Sequence, residues 1–173
     1  SKFDPRTGHF DNFFFSEDRN ANIFDERASR KRHDGRLMFG TYNGVYIFNP
    51  SDIFYDNFAP PVVITGLQVN GNEVAPGTPG SPLPESITLT QNIRLTHKAN
   101  SFNLQFAMLN YATPELNQYT YILEGYEKSW NPVSRNNIAA YRNVPPGKYL
   151  FKIKGSNSFG VWANRETTLA IHI

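Results

Sequence analysis

The feature of this sequence that most restricts its fold is a repeated alternation of large apolar and polar residues in short segments. In residues 102–106, Phe-Asn-Leu-Gln-Phe, the rings and the leucine share one face and the two amides share the other. Tyr119 and Tyr121 repeat this period of two, as do Tyr149 and Phe151. A half-buried β-strand has this period, whereas no stretch of about ten or more residues shows a helical period with caps. The chain is therefore predicted to be all-β.

Composition supports a packed β fold and narrows the chemistry. Aromatic residues make up 14% of the 173 residues. Each buried ring removes roughly 150–250 Å² of surface from water, so a sizeable core can form. The net charge of +2 is too small to indicate nucleic acid or a membrane surface as a partner. The absence of Cys excludes disulfides, thiolate nucleophiles and Cys-based zinc sites.

The amino-terminal third contains a hairpin signal. Residues 36–48 place the pair Asn43-Gly44 between two apolar runs. This pair favours a type I′ turn, which needs positive φ at both central residues. Residues 26–32 are predicted to form a third strand that turns at residues 34–35.

Proline residues mark a domain boundary after this hairpin. Pro50, Pro60 and Pro61 lie where a central strand could not continue, because proline lacks the N–H that the ladder requires. The chain is therefore predicted to consist of a first domain, residues 1–59, and a second domain, residues 60–173.

The second domain is predicted to contain about seven strands. Besides the alternating segments above, strands are predicted at residues 62–69, 87–89, 93–95 and 169–173. This number of strands in roughly 110 residues is the size of a two-sheet sandwich, in which each strand buries one side. We therefore predict a fibronectin type III or immunoglobulin-like β-sandwich.

A turn in the second domain supports this fold. In residues 144–149, Val-Pro-Pro-Gly-Lys-Tyr, Pro146 presets φ and Gly147 permits a tight turn before the strand that Tyr149 begins. The turn resembles the tyrosine corner of immunoglobulin-like and fibronectin type III domains, whose phenol hydrogen-bonds a backbone group a few residues upstream. We expect the same hydrogen bond from Tyr149.

A spaced set of tyrosines, tryptophans and turn residues runs through the second domain. After the alternating segment at 102–106 come Tyr111, Tyr119, Tyr121, Gly125, Trp130, Tyr141, Pro146, Gly147, Tyr149 and Trp162. This spacing resembles the Y_Y_Y (three-tyrosine) domain of bacterial two-component sensors. The resemblance implies that the residues from Tyr111 to Tyr149 in this set are a structural signature, with no catalytic, metal-binding or cofactor-binding role.

The first domain is similar to the end of a β-propeller that precedes such a sandwich. The similarity rests on residues 26–53, with Asp-Gly-Arg-Leu at 34–37 and Phe-Asn-Pro at 48–50. It implies the periplasmic sensor region of a Bacteroides-type hybrid histidine kinase, in which propeller, sandwich, membrane helix and cytoplasmic kinase follow in that order. A closed propeller needs typically 4–8 blades, so residues 1–59 are predicted to be a partial blade. Its unpaired edge predicts that residues 1–25 are mobile or ordered only by a neighbour.

The titratable residues indicate no catalytic or metal site. The four His residues, at positions 9, 33, 97 and 172, lack the spacing of a ligand set. Acidic residues that could pair in a glycosidase are predicted to lie instead on a solvated surface. They are Glu85, Glu115, Glu124 and Glu127. No catalytic residue, metal or cofactor is therefore predicted.

The two tryptophans are the candidates for contact with a sugar ring, because an indole can stack on its apolar face. Trp130 is predicted to pack over the sandwich core instead. Trp162, in a loop with Phe159 and Gly160, is predicted to cap a hairpin and is the weak candidate for a ligand contact.

Two functions are compatible with these observations. In the first, the chain is a non-catalytic, extracytoplasmic segment of a two-component sensor that couples glycan sensing by a propeller to a transmembrane kinase. Its partners are then the missing blades and the kinase region of the same parent, a second copy of the parent in a homodimer, and an oligosaccharide, with no nucleic acid. In the second, the chain is a carbohydrate-binding or accessory module of a surface enzyme, which needs an exposed aromatic platform.

Overall fold

The fold is built from strands in two compact units. A computed structural model describes residues 2–6, 8–11, 23–53, 58–110 and 114–173. Over these residues the regular structure is β-strand apart from two single-turn 3₁₀ helices, Pro50–Asp52 and Pro114–Leu116. The units divide the chain at Ser1–Asn57 and Phe58–Ile173. The prediction of an all-β fold is confirmed.

The first unit contains two small antiparallel sheets. A hairpin pairs β1 (Lys2–Asp4) with β2 (His9–Asp11). A three-stranded sheet follows, with strand order β3 (Phe24–Lys31), β4 (Leu37–Thr41), β5 (Gly44–Phe48). The predicted hairpin and the predicted third strand are therefore both present. Residues 12–22, which carry much of the segment predicted to be mobile, lie outside the described residues.

The turn between β4 and β5 differs from the prediction. Thr41 pairs with Gly44, so the two central residues are Tyr42 and Asn43 rather than the Asn-Gly pair. Asn43 is not among the described non-glycine residues that have positive φ. The type I′ prediction was therefore wrong. The pairing of Phe39 with Tyr46 fixes the register of β4 and β5. The turn therefore lies one residue earlier than the predicted Asn43-Gly44 turn.

The second unit is a sandwich of two four-stranded sheets. One contains β6 (Val62–Val69), β7 (Asn72–Glu73), β9 (Phe102–Met108) and β11 (Ile138–Tyr141), in the order β11-β9-β6-β7, and is called the β9 sheet. The other contains β8 (Asn92–Arg94), β10 (Gln118–Glu124), β12 (Lys148–Ser156) and β13 (Thr167–His172), in the order β10-β12-β13-β8, and is called the β12 sheet. Among the described strands every pairing is antiparallel except that of β13 with β8. The predicted sandwich is confirmed.

The facing sides of the two sheets form the hydrophobic core. In β9 the predicted alternation is complete, because Phe102, Leu104 and Phe106 are buried and the amides between them are not. Phe151 and Ile153 of β12 are buried on the opposite side of the core. Each fully buried side chain of this size contributes about 1.5–3 kcal/mol to folding through the apolar area that it removes from water.

One predicted strand is a turn. The carbonyl of Ser86 accepts hydrogen bonds from the backbone N–H groups of Leu89, at 2.9 Å, and Thr90, at 3.1 Å. Ile87 is buried in the core, but Leu89 is 67% exposed. The two apolar side chains therefore do not share a sheet face, and the strand predicted at residues 87–89 was wrong.

Two short strands were not predicted. β7 follows the turn Asn70-Gly71, whose φ angles of 50° and 84° are both positive. This is the combination that a type I′ hairpin needs. β11 was missed because its buried residues, Ala139 and Tyr141, alternate with Ala140, and alanine gives little contrast between the two faces.

Candidate functional site

The tyrosine corner is present as the sequence predicts. The phenol of Tyr149 donates a hydrogen bond to the carbonyl of Pro145 at 2.7 Å. A side chain at Gly147 would place its Cβ 2.9 Å from the Tyr149 hydroxyl oxygen, so the close approach requires glycine. Gly147 also exchanges two backbone hydrogen bonds with Ile173, at 3.1 and 3.0 Å. The corner is therefore joined directly to the residue that follows β13.

Among the described residues, two hydrogen bonds join a strand of one sheet to a strand of the other. The hydroxyl of Tyr119, in β10, accepts from the backbone N–H of Met108, in β9, at 3.2 Å and is buried. The hydroxyl of Thr167, at the start of β13, donates to the carbonyl of Val62, at the start of β6. The first strand of the sandwich is thus tied directly to its last.

Three tyrosines of the signature, Tyr119, Tyr121 and Tyr141, belong to an aromatic cluster in the core. Tyr119 packs edge-to-face on Phe106, with ring centroids 5.2 Å apart. Tyr121 lies 5.9 Å from Phe151 and 6.4 Å from Tyr141. Such aromatic pairs contribute about 0.5–1.5 kcal/mol each beyond the area that they bury. These rings are therefore used for packing.

A carboxylate at the edge of this cluster holds three elements together. Glu127 accepts hydrogen bonds from the backbone N–H of Leu123 at 2.7 Å, from the Tyr141 hydroxyl at 3.1 Å and from the Asn131 amide at 2.8 Å. Glu127 is only half-exposed. The expectation of a solvated surface acid was therefore wrong for this residue. No local sequence motif indicates its structural role, because its side-chain partners Asn131 and Tyr141 come later in the chain.

The environment of Glu127 keeps the neighbouring phenols protonated. Burial, together with the charge and hydrogen bond of Glu127, raises the pKa of Tyr141 above its ordinary value of 10.0. Burial and the same charge also raise the pKa of Tyr121. Tyr141 is therefore a neutral hydrogen-bond donor at physiological pH, which suits a structural tie rather than acid–base catalysis.

Gly125 terminates β10 next to this cluster. Its φ of 92° is a conformation that L side chains rarely adopt. A Cβ there would also lie 3.1 Å from the ring of Tyr149. The glycine is therefore required both by the backbone and by the packing of the tyrosine corner. Of the other signature residues, Pro146 is exposed in the corner turn and Tyr111 lies outside the described residues.

Trp130 does not pack over the core, and that prediction was wrong. Its side chain is 37% exposed, and the ammonium of Lys154 lies 5.1 Å from the centre of its ring. The segment that carries it runs along the free edge of β10, where Asn131 N–H donates to the Tyr121 carbonyl and Ser134 pairs with Tyr119. This edge pairing holds the indole on the solvent side of the β12 sheet.

Trp162 lies in a loop that a buried asparagine orders. Asn157 is 1% exposed, and its carbonyl oxygen accepts from the backbone N–H groups of Phe159, at 2.9 Å, and Val161, at 3.0 Å. Its amide donates to the carbonyl of Phe58 at 3.1 Å. Trp162 is 38% exposed, so one part of the indole is available to solvent.

The described residues show no arrangement typical of catalysis. Within them, no three His, Asp or Glu side chains converge as a metal site would require. No helix among them is long and apolar enough to cross a membrane. The signature residues that the structure describes therefore form a packing and hydrogen-bonding framework.

Comparison with known proteins agrees with this framework. Residues 110–173 match the sequence model of the Y_Y_Y domain family. Over 153 residues, 88% of this chain, the sequence is 31% identical to histidine kinase P4 of Formosa agariphila, of which the chain covers 11%. The chain thus spans about a tenth of that relative.

Solved structures give the same result for the fold. An extracellular domain assigned to a hybrid two component system of B. thetaiotaomicron matches 87% of this chain with a TM-score of 0.70 and 33% identity, and the chain covers 20% of it. A second such domain from the same organism matches 84% of the chain with a TM-score of 0.61 and 28% identity, again over 20% of its length. The predicted extracytoplasmic location is confirmed by these neighbours. Residues 110–173 therefore resemble the Y_Y_Y domain family, and the chain is similar to extracellular domains assigned to hybrid two-component systems.

Proposed function

We propose that this chain is a non-catalytic, periplasmic segment of a hybrid two-component sensor. In this role the sandwich couples ligand sensing by a propeller to a transmembrane histidine kinase. The observation that carries the proposal is the match across 87% of the chain, at 33% identity, to the extracellular domain of a hybrid two component system. Glycans are the ligand class that we assign to the propeller, by the resemblance described above.

The three-stranded sheet of the first unit supports a propeller blade. Phe39 and Phe48 stack on one of its faces, with ring centroids 5.8 Å apart. Met38 pairs with Ile47 on the other face. None of the described residues of this sheet is buried. A sheet that is apolar on both faces needs a neighbour on each, and each blade of a propeller has two.

The hydrogen bonds between the sheets support a coupling role. Because the Thr167 hydroxyl binds the carbonyl of Val62, a displacement of β6, the first strand of the sandwich, is passed to β13. The bonds between Gly147 and Ile173 join β13 in turn to the tyrosine corner. Close-packed interiors transmit strain rather than absorb it. A receptor that signals by switching between two conformations can therefore pass the signal through the sandwich, which moves as a rigid unit.

Sedimentation equilibrium of the complete extracellular region tests the proposal. We expect a homodimer, because a change in dimer geometry is the means by which a rigid domain can act on a kinase. A monomer at all concentrations, both alone and with the oligosaccharides that induce the system, would count against the coupling role.

The second function, a carbohydrate-binding module, is favoured by the partial exposure of both tryptophans. Trp130 is the weaker platform of the two, because a sugar would have to displace Lys154 from its ring. Trp162 therefore carries this alternative. If it is correct, the whole chain binds neutral oligosaccharides, and Trp162→Ala removes binding while Trp130→Ala does not. A chain that retains full affinity with Trp162→Ala rules the platform out.

A further inference from the structure

The outer faces of the two sheets differ in chemistry. The outer face of the β12 sheet carries two ion pairs, Lys152 with Glu124 at 2.6 Å and Lys154 with Glu166 at 2.9 Å. The outer face of the β9 sheet carries amides on adjacent strands, where Gln68 pairs with Asn103. One face is therefore charged and internally paired, and the other is mainly neutral and polar.

The β9 sheet has a groove on this outer face. Its volume is about 190 Å³, and its walls include Gln68, Glu73, Val74, Asn103, Gln105 and Ile138. A β-bulge shapes it, because Ile64 and Gly66 pair with successive residues of β9 and leave Thr65 as an extra residue. A Cβ at Gly66 would lie 3.3 Å from the Gln105 side-chain oxygen, so glycine keeps the groove open beside that amide.

One side of the groove has fixed side chains. The Asn103 amide donates to the Gln68 side-chain oxygen at 2.9 Å, and Arg142 donates to the Asn103 side-chain oxygen at 2.8 Å. Arg142 is held in turn by the carbonyl of Tyr141 at 3.0 Å. This chain of hydrogen bonds occupies the Gln68 oxygen and leaves its NH₂ group as a donor.

The rest of the groove offers unused hydrogen-bonding groups. Among the described residues, the Gln105 amide has no hydrogen-bond partner and the Glu73 carboxylate has neither an ion pair nor a hydrogen bond. Together with Gln68 they supply donors and acceptors within one small concavity. Val74 and Ile138 add apolar walls. Ligand sites typically combine apolar walls with a few such convergent polar groups.

We propose that this groove binds a neutral, hydroxyl-rich molecule of about the size of one sugar unit. Vicinal hydroxyls both donate and accept, which matches the amides of Gln68 and Gln105 and the carboxylate of Glu73. An anionic ligand would be repelled by Glu73, the charged group among the walls named above. The volume is below the roughly 300–1,000 Å³ of sites for drug-sized ligands, which favours a single ring. The site goes beyond the function proposed above, in which the ligand binds the propeller.

Chemical-shift mapping of the whole ¹⁵N-labelled chain tests the site. The probes are glucose, galactose and mannose, each raised to about 50 mM, with glucuronate as the charged counterpart. We expect at least one neutral sugar to shift the backbone resonances of Gly66, Gln68, Asn103 and Gln105 in a saturable way. Glucuronate is expected to bind at least about tenfold more weakly.

Two variants connect the shifts to the groove. Gln105→Ala and Glu73→Ala should each weaken binding by roughly tenfold or more, since each removes hydrogen bonds to the sugar. Both side chains lie at the surface, and an unchanged spectrum away from the groove shows that each variant is folded. Trp162→Ala is the matched control and should bind as the wild-type chain does.

Three outcomes would overturn the groove as a sugar site. They are the absence of saturable shifts with all three neutral sugars, shifts centred on Trp130 or Trp162, and unchanged affinity with Gln105→Ala. None of them bears on the sensor role, which depends on the dimer and on the kinase. The two proposals can therefore fail independently.

Discussion

At the scale of single residues, Glu127 is a polar group on which three of the described hydrogen bonds converge. It accepts from the backbone of β10, from the loop that follows and from Tyr141 of the other sheet. Removal of a partly buried acceptor leaves its donors without that partner, and an unsatisfied donor costs more than the hydrogen bond contributes when it forms. Glu127 is therefore expected to matter for stability, although its residue type and position suggest a surface acid.

Substitution of Glu127 tests this point. Glu127→Ala should lower the free energy of unfolding by about 2–4 kcal/mol, because three donors lose their acceptor. The matched control is Glu124→Ala, whose side chain is 44% exposed and makes an ion pair with Lys152, and it should change stability by less than about 1 kcal/mol. Urea unfolding followed by tyrosine fluorescence measures both. Equal effects of the two variants would contradict the assignment.

The raised pKa of Tyr141 predicts how stability depends on pH. In the unfolded chain a phenol ionises near pH 10, whereas Tyr141 in the folded chain stays protonated to higher pH. The folded state therefore binds more protons above pH 10, and stability falls as pH rises from there, by at most about 1.4 kcal/mol per pH unit for this residue. Below about pH 9 the contribution of Tyr141 to stability does not change with pH, because the phenol is protonated in both the folded and the unfolded chain. Urea unfolding between pH 8 and pH 11 should show a shallower decline for Tyr141→Phe, and an identical decline would contradict the prediction.

At the scale of elements, the predictions that succeeded rest on contrast between the faces of a strand. β9 was predicted because large apolar and polar residues alternate over five positions, and β12 because Tyr149, Phe151 and Ile153 recur at every second position. β11 lacks that contrast because its exposed and buried positions both hold alanine. Residues 87–89 gave a false signal, since the local turn at Ser86 decides the direction of Leu89 and no pattern of hydropathy records it.

The residues of the candidate site likewise divide into those that local sequence predicts and those that it does not. Tyr149 could be assigned from sequence because its partner, Pro145, lies four residues away in a recognisable turn. The positions of Glu127 and Trp130 depend instead on where the edge of β10 meets the segment that follows it. The pairing of that edge depends on the tertiary structure. Residue type alone therefore gave the wrong environment for both residues, a solvated surface for Glu127 and the core for Trp130.

Close packing between the sheets gives a prediction for β12. A Cβ at Gly155 would lie 2.6 Å from the Val62 side chain and 2.9 Å from that of Met108. Gly155→Ala should therefore destabilise the sandwich by about 1–3 kcal/mol through overpacking. Ala170→Val, on the exposed side of β13, adds more volume without meeting the core and should change stability by less than about 0.5 kcal/mol. Thermal unfolding compares the two, and a neutral Gly155→Ala would show that the sheets are not in close contact there.

At the scale of the whole molecule, the two units differ in how much core each contains. The core cluster consists entirely of residues between 59 and 173. The three-stranded sheet of the first unit has no buried residue among those described. A unit without a buried core cannot offset the conformational entropy of folding, which is about 1–2 kcal/mol per residue for the backbone alone. The sandwich should therefore be the source of the chain's stability.

Truncation tests this difference. Residues 58–173 alone should unfold in a single cooperative transition, with a midpoint in urea close to that of the same residues in the whole chain. Residues 1–57 alone should show no cooperative transition, because their three-stranded sheet has no buried residue among those that the structure describes. Failure of residues 58–173 to fold would mean that the core depends on the first unit.

In the coupling role that we propose, the sandwich acts on a membrane kinase through its packed strands. The most direct test is the transfer of phosphate from ATP to the full-length protein in membrane vesicles, for the wild type and for Thr167→Val, which lacks the bond to Val62. We expect phosphate incorporation by the wild type, and a changed rate with Thr167→Val while the protein remains folded and inserted. A full-length protein that takes up no phosphate, or one whose rate is the same with Thr167→Val, would contradict this role.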